Sequence, residues 1–444
     1  MLSLPVRMTG RGQRQEKKEQ FDSMTGAMYA AIGGLQSHMS RLNVIGNNIA
    51  NVNTYGYKKA RMTFRESIYT TRKAGSDGNA TTGGNNPSQV GYGSVVGSID
   101  LNMNPSTYAP TGFDMDCMIM GEGFFLVGDK TNMVKSANDI QGMTLTRVGD
   151  FTFDSQGYLC DRAGQIVYGF ATVQNPFYNP KATDPGPTAT PDKKAEYEKV
   201  KNPTMISTQL TPLRLPLMAA KPDTTDKTQT WAEGDPVYPV LGKPDPNNNN
   251  AHYNAAANGT DPLDGANIQY NGTPSTNANT GNYGTTSIIA NTQDKCVQLN
   301  TLSIGKDGCV TGIDDNDNTV VVGYVAVANV DSPSGVTHIN GPYYKALGGA
   351  GQVRVACLGG VLKDKYLANK EVTGTGTAAV VPSPDEAIMS GGSNTIENGG
   401  LESSSTDVAE EFANMITTQR GYQANTRIVT VTDSMLEELV NMKR

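Results

Sequence analysis

Titratable and thiol chemistry is scarce in this chain. Its 444 residues include three histidines, five cysteines and one tryptophan, and charged residues make up 18%, below the roughly 25% of an ordinary globular protein. Five cysteines are too few for a disulfide framework, and an odd number cannot all pair within one chain. Cys117, Cys160, Cys296, Cys309 and Cys357 are therefore read as buried structural thiols. Basic excess is also missing. A formal net charge of −7 and a pI near 5.2 exclude nucleic acid as a partner, because neutralising phosphates needs a basic face. No run of about 18 apolar residues occurs, so no membrane-inserted helix is expected. With 49 glycines and 23 prolines, the chain falls short of the roughly 25–30% that marks low-complexity disorder. What remains is a large, soluble, Asn/Thr/Gly-rich protein, an unusual composition for an enzyme.

Catalytic and metal-binding patterns are missing as well. His38, His252 and His338 stand far apart, with no i, i+4 pair and no cysteine at ligand spacing, so no zinc site is expected. His38 falls within a helical pattern and reads as an interface or surface residue. Gly91-Tyr92-Gly93 and Gly121-Glu122-Gly123 begin like phosphate-cradling loops, but neither completes G-x-G-x-x-G, and both read as turns or bulges. Asp314 to Asn318 opens like a calcium loop, then fails at Thr319 where glycine is needed and at Val325 where glutamate is needed. No catalytic residue, cofactor or metal is expected, and the chain is not read as an enzyme.

The chain ends carry a different pattern. Met28, Ile32, Leu35, Met39, Leu42 and Ile49 are spaced by fours and threes around Gly46, a heptad seam that stops near Gly56. Val408, Phe412, Met415, Gln419, Tyr422, Thr426, Val429, Asp433, Leu436 and Val440 repeat the spacing more strongly. Ile428, Val431, Met435, Leu439 and Met442 form a second stripe beside them. Asp407, with Glu410 three residues on, predicts the N-terminal cap of a helix over about 407–442. Two stripes need two partners. One is the helix at the other chain end, running antiparallel, and the second must come from another molecule, because exposed apolar residues at this density otherwise aggregate.

Between the ends the period changes to that of strands. Phe151, Phe153, Tyr158, Ile166, Tyr168 and Phe170 alternate around Gly-containing turns and predict a meander. Leu302 and Ile304, then Val310 and Ile313, predict two further strands, and Val320–Val330 reads as one strand buried on both faces. Residues 175–296 are proline-rich and then Asn/Gly/Thr-rich, as expected of an inserted domain with long polar loops; the 244–286 tract also fits plain disorder. Met1–Ser23 has basic residues but no apolar stretch behind them, so it does not read as a secretory signal. It reads either as a disordered extension or as a start-site artefact, with translation beginning at Met24.

Several segments resemble one family. Asn43–Lys58 (NVIGNNIANVNTYGYK) resembles the N-terminal signature of bacterial flagellar rod and hook proteins, and Met415–Asn425 (MITTQRGYQAN) is similar to their C-terminal signature. Gly121–Val127, Thr146–Phe151 and Gly400–Ser403 resemble the family's core β motifs and the lead into its last helix. Ser404-Ser405-Thr406-Asp407 departs from the usual Ser-Asn-Val-Asp. The large insertion points to a hook-type member; a distal rod or other axial protein is the near alternative, and a secreted β-rich enzyme or glycan-binding protein the far one.

The resemblance implies a mainly β, mixed fold: a terminal α-helical coiled coil from both chain ends, plus two nested β-rich domains. The expected division is 1–23 extension, 24–70 with 401–444 helical inner tube, 71–110 irregular linker, 111–175 with 297–400 core β-domain, and 176–296 outer β-domain. It implies a structural subunit that self-assembles into a curved tube joining rod to filament, exported by the flagellar type III apparatus to the outside of the cell. Implied partners are other copies of the chain, rod and hook–filament junction proteins, the hook cap and the export apparatus. Some members cross-link neighbours through Cys and Lys, a second reading of the five thiols.

Overall fold

Two long helices close the chain ends. The N-terminal helix spans Gly10–Ala50 and the C-terminal helix Val408–Asn441, 41 and 34 residues. At about 1.5 Å per residue the second is roughly 50 Å long. The computed structural model describes residues 10–78, 83–129, 137–174, 201–218, 236–240, 296–359, 388–390 and 394–441, with short pieces at 183–186, 190, 193–194, 197 and 269–270. It divides into two units, one made of both chain ends (up to Asn102 and from Ser404) and one of Met103–Ser403.

In the first unit the N-terminal helix begins at Gly10, inside the segment expected as a disordered extension. The stretch Gln13–Gln20 consists of Gln, Arg, Glu and Lys, all strong helix formers, so the pattern extends upstream of Met24 without a break. The expected irregular linker over 71–110 is also corrected. Strand β1 (Ala60–Glu66) pairs antiparallel with β4 (Ser94–Leu101), and β2 (Tyr69–Lys73) pairs with β3 (Ser88–Gly91). Tyr69, Thr70, Thr71, Val95, Val96 and Ile99 supply the β-branched and aromatic residues that favour strands. The Gly/Asn/Pro content between 75 and 87 masks them in a composition reading.

The second unit is a β structure. Its strands include β5 (Tyr108–Pro110), β6 (Cys117–Met120), β7 (Phe124–Gly128), β8 (Thr144–Thr146), β9 (Phe151–Phe153), β10 (Leu159–Asp161), β11 (Ile166–Gln174) and β12 (Thr204–Pro212). The predicted meander is present: Leu159 pairs with Phe153, and Cys160 with Ile166. Strand β11 is the hub, antiparallel to β7, to β12 and to Thr319–Val325. The predicted Val320–Val330 strand is two strands, broken at Ala326. Thr319–Val325 pairs with β11, whereas Val327–Val330 pairs with β7 and with Val353–Cys357. Its burial is as expected: Val320, Val322, Val325, Val327 and Ala328 are all buried.

Strand β12 lies within the stretch expected to be the inserted domain, yet belongs to the core sheet. Leu210, Leu213, Leu215 and Leu217 are buried in and just after it, a pattern hidden by the prolines among them. Apart from Gln269–Tyr270, the Asn-rich reading over 244–286 lies outside the described residues, as do His252 and Trp231. The core gathers Phe125, Phe151, Leu159, Val167, Leu213, Val322, Val327 and Ile396, with the Phe125 and Phe151 rings edge to face at 5.0 Å. Each such side chain contributes about 1.5–3 kcal/mol on burial. Cys117, Cys160, Cys309 and Cys357 are buried, whereas Cys296 is only half-buried, which corrects its reading as a buried thiol.

Candidate functional site

The terminal helices pack antiparallel. Cβ atoms added at Gly34 and Gly421 would sit 2.6 Å from Asn425 Nδ2 and 2.7 Å from the His38 ring, so each helix approaches the other through a glycine. On the N-terminal helix Ala31, Gly34, Ser37, Ile45 and Asn48 are buried, and on the C-terminal helix Glu411, Thr418 and Thr432. The buried hydroxyls turn back onto backbone. Thr418 Oγ1 donates to Asn414 O (2.6 Å), Thr432 Oγ1 to Ile428 O (2.7 Å), and Ser37 Oγ to Gly33 O and Ser94 O. The last bond fastens the helix to β4.

Only one column of each predicted seam is drawn inward. Met28, Leu35, Leu42 and Ile49 are half-buried, but Ile32 and Met39 are exposed. Met415, Tyr422, Val429 and Leu436 are half-buried, but Val408, Phe412, Gln419 and Val440 are exposed. Of the second stripe, Leu439 is half-buried, Ile428, Val431 and Met435 are exposed, and Met442 lies outside the described residues. Each real seam is rotated towards small and polar residues because these allow close approach. The result is an inverted helix pair: Phe412 (50% exposed), Ile416 (52%), Val431 (58%) and Met435 (49%) face outward, while threonine and glutamate face inward.

The asparagine-rich turn after the N-terminal helix is a cap. Buried Asn48 donates through Nδ2 to Ala60 O (2.9 Å) and accepts Ala60 N–H at Oδ1 (3.0 Å), so one amide closes both backbone groups at the start of β1. The Tyr57 hydroxyl donates to the same Oδ1 (3.1 Å), and burial together with nearby Glu411 holds that phenol above its ordinary pKa. Asn51 N–H donates to Asn47 O, Thr54 N–H to Asn51 O, and Gly56 takes φ +68°. On the C-terminal helix Asp407 Oδ1 accepts Ala409 N–H (2.8 Å) and Glu410 N–H (3.3 Å), the expected N-cap. Glu410 turns instead to Lys59 Nζ at 2.7 Å, tying the two chain ends together.

His38 packs edge-on against Phe64, with centroids 5.5 Å apart, and its Nδ1 is buried without an acceptor. Burial, with Arg41 beside it, pushes its imidazole below the ordinary pKa. The half-buried ring lies between the two helices, against Gly421 and Phe64.

The second unit holds a feature that sequence patterning missed. Arg147 and Glu402 form an ion pair (Nε to Oε2, 3.0 Å) with side chains 2% and 1% exposed. Arg147 also donates to Gly121 O and Gly123 O, and Glu402 accepts Ser106 N–H. Three separate motifs thus meet on one buried pair. Arg147 and Glu402, charges set within two of the β motifs, were the available signal. Asp314, the calcium-like position, accepts the amides of Asn316 and Asn318 and serves as a turn, which holds its carboxyl below the usual range.

Residues 28–58 match the family described as "Flagella basal body rod protein", and residues 397–442 match "Flagellar basal body rod FlgEFG protein C-terminal". These spans cover the helix pair, the asparagine cap and Glu402. The chain is similar to the flagellar hook protein FlgE of Borreliella burgdorferi, 26% identical over 482 residues, covering 95% of this chain and 100% of that one. It is similar to FlgE of Escherichia coli, 27% identical over 463 residues, covering 94% and 100%. It is also similar to the flagellar basal-body rod protein FlgG of Bacillus subtilis, 25% identical over 423 residues, covering 95% and 100%.

Proposed function

The chain belongs to the bacterial flagellar rod and hook family and is a structural subunit of the hook; from that premise we propose that it polymerises through the apolar outer face of its terminal helices. The observation that carries this is the exposure of Phe412, Ile416, Ile428, Val431 and Met435 on a helix whose inner side holds Glu411, Thr418 and Thr432. Removing such surface from water stabilises by about 25 cal/mol per Å², which favours each added subunit. The seam within one chain is correspondingly weak, since the buried threonine hydroxyls bond back to their own helix and not across it. The helix pair is marginal alone and becomes firm when neighbours cover it, so folding of the ends is coupled to subunit addition. Electron microscopy of the purified chain under polymerising conditions is expected to show curved tubes. Hydrogen exchange is expected to be fast over Val408–Asn441 in the dilute monomer and slow in the tube. Full protection in the dilute monomer overturns the coupling.

In this reading the assembled chain works outside the cell, delivered by the flagellar type III apparatus and added beneath a hook cap. It contacts rod proteins at one end of the tube and junction proteins at the other. It bears load and bends, and carries out no catalysis. The similarity to FlgG keeps a distal-rod role as the second reading. A straight tube in the microscope would favour it.

A further inference from the structure

Every residue of β2 is exposed, and in its partner β3 only Val90 is half-buried. A two-stranded hairpin bare on both faces is marginal in water, so this arm needs cover. Its surface is apolar and carries four cationic side chains against two exposed acids, Glu66 and Asp77. Ile68 is 75% exposed, Tyr69 50% and Ile99 54%. Arg61, Arg65, Arg72 and Lys73 are exposed beside them. Arg61 lies 3.9 Å from Asp100, whereas Arg65, Arg72 and Lys73 have no ion-pair partner among the described residues.

The last third of the C-terminal helix has the opposite character. Ile428, Val431, Met435 and Val440 are exposed there together with Asp433, Glu437 and Glu438, which likewise have no ion-pair partner among the described residues. No basic residue occurs between Arg427 and Asn441. Both surfaces are uncovered, both mix apolar residues with charge, and the excess charge is of opposite sign.

We propose that the β1–β4 arm of one subunit docks on the Ile428–Val440 face of a second copy of this chain, setting Arg65, Arg72 and Lys73 against Asp433, Glu437 and Glu438. This rests on the polymerisation reading above and names the contact surface. The two surfaces are different patches of one chain, so the contact is heterologous. Such contacts repeat head to tail and suit an open helical assembly. The apolar residues hold the contact and the charges fix its register, with a salt dependence expected of exposed pairs.

The test uses full-length chain. R65E/R72E/K73E and, separately, D433K/E437K/E438K are each expected to raise the critical concentration for polymerisation about tenfold. The chain carrying both sets should return to within about threefold of the parent, because the pairs reform with reversed sign. Tubes made from equal parts of light and ¹⁵N-labelled chain, coupled with a zero-length carbodiimide, should give an amide between Lys73 and Glu437 or Glu438 that bridges the two isotopes. Parent-like polymerisation of both triple variants, failure of the combined variant to recover, or links confined to one isotope each overturn the docking and leave helix-driven polymerisation standing. A parent chain that forms no polymer at any concentration strikes the reading beneath it instead. Monomer circular dichroism controls for folding. Where a reversal does not fold, R65Q/R72Q/K73Q takes its place, with a smaller rise expected in the same direction.

Discussion

Single buried polar residues hold this protein's motifs together. Asn48 closes the turn from helix to strand, and the Arg147–Glu402 pair joins three segments far apart in the chain. Burying two charges is costly, and breaking a pair leaves the survivor uncompensated, typically at about 3–5 kcal/mol. E402Q is therefore expected to destabilise the Met103–Ser403 unit by about that amount in urea unfolding, whereas R147M/E402M, which removes both charges, should recover most of the loss. A double variant no more stable than the single one would show that geometry, not charge, is at stake. Asp150 supplies a pH signature. Burial, with Asp161 and Asp116 nearby, outweighs the Arg162 guanidinium at 3.3 Å and raises its carboxyl to about 6. The unfolded value is about 3.9. Between these values the folded chain binds more protons than the unfolded one, so this group's contribution to stability is greatest at low pH, falls as pH rises from about 4 to 6, and is level above that. D150N should flatten the stability profile across that window, and an unchanged profile would place the titration elsewhere.

At the scale of elements the helix pair separates two kinds of burial that a sequence pattern merges. G421L drives a side chain into the His38 ring, 2.7 Å from the first added carbon, and should loosen the pair within one molecule by about 1–3 kcal/mol. F412S, at a half-exposed position, should leave monomer unfolding within about 0.5 kcal/mol of the parent while raising the critical concentration for polymerisation. If F412S polymerises as well as the parent, the outer face is not the assembly surface. This contrast also explains what was legible. The C-terminal helix came out within about a residue of its bounds because Asp407 caps it and heptad spacing runs through it. Its inward face was not legible, because the most apolar columns, which usually mark the core, here lie outside and the glycines and threonines lie inside. The meander was readable from alternation and Gly turns. Strand β12 was not, because Pro203 and Pro212 bound it and Pro216 interrupts the leucines that follow, and the break at Ala326 left no mark in a strongly apolar run.

At the scale of the whole molecule, each unit is completed by residues near the end of the chain. The first unit needs Val408–Asn441 to cover the N-terminal helix, and the second needs Thr395–Asn398 on β6, Gly400–Glu402 on β5, and Glu402 for Arg147. The long insertion is different. Leu217 bridges Cys296, and Val297 N–H donates to Pro216 O at 3.0 Å, so the chain leaves and re-enters the core at adjacent points. Loop-closure cost grows only slowly with length, by about 0.6 kcal/mol per doubling, so a core can carry such an insertion with little penalty and can lose it as cheaply. The core strand β12 lies outside the segment bounded by Met218 and Cys296. Within the insertion, Pro236–Val237 pair with Leu217–Met218 and Val240 with Gln174 of β11, so replacing residues 219–295 with a short Gly-Ser joint should lower the urea midpoint of the core only by the loss of these few pairs and leave subunits able to add. Curvature is what should change. A composition rich in Asn, Thr and Gly suits small, wet contacts that break and reform as a tube bends, and removing them should straighten or stiffen the tube seen by electron microscopy. Loss of polymerisation with the core still folded would instead make the insertion an element of assembly, and the apolar helix faces would then be insufficient to build the tube by themselves.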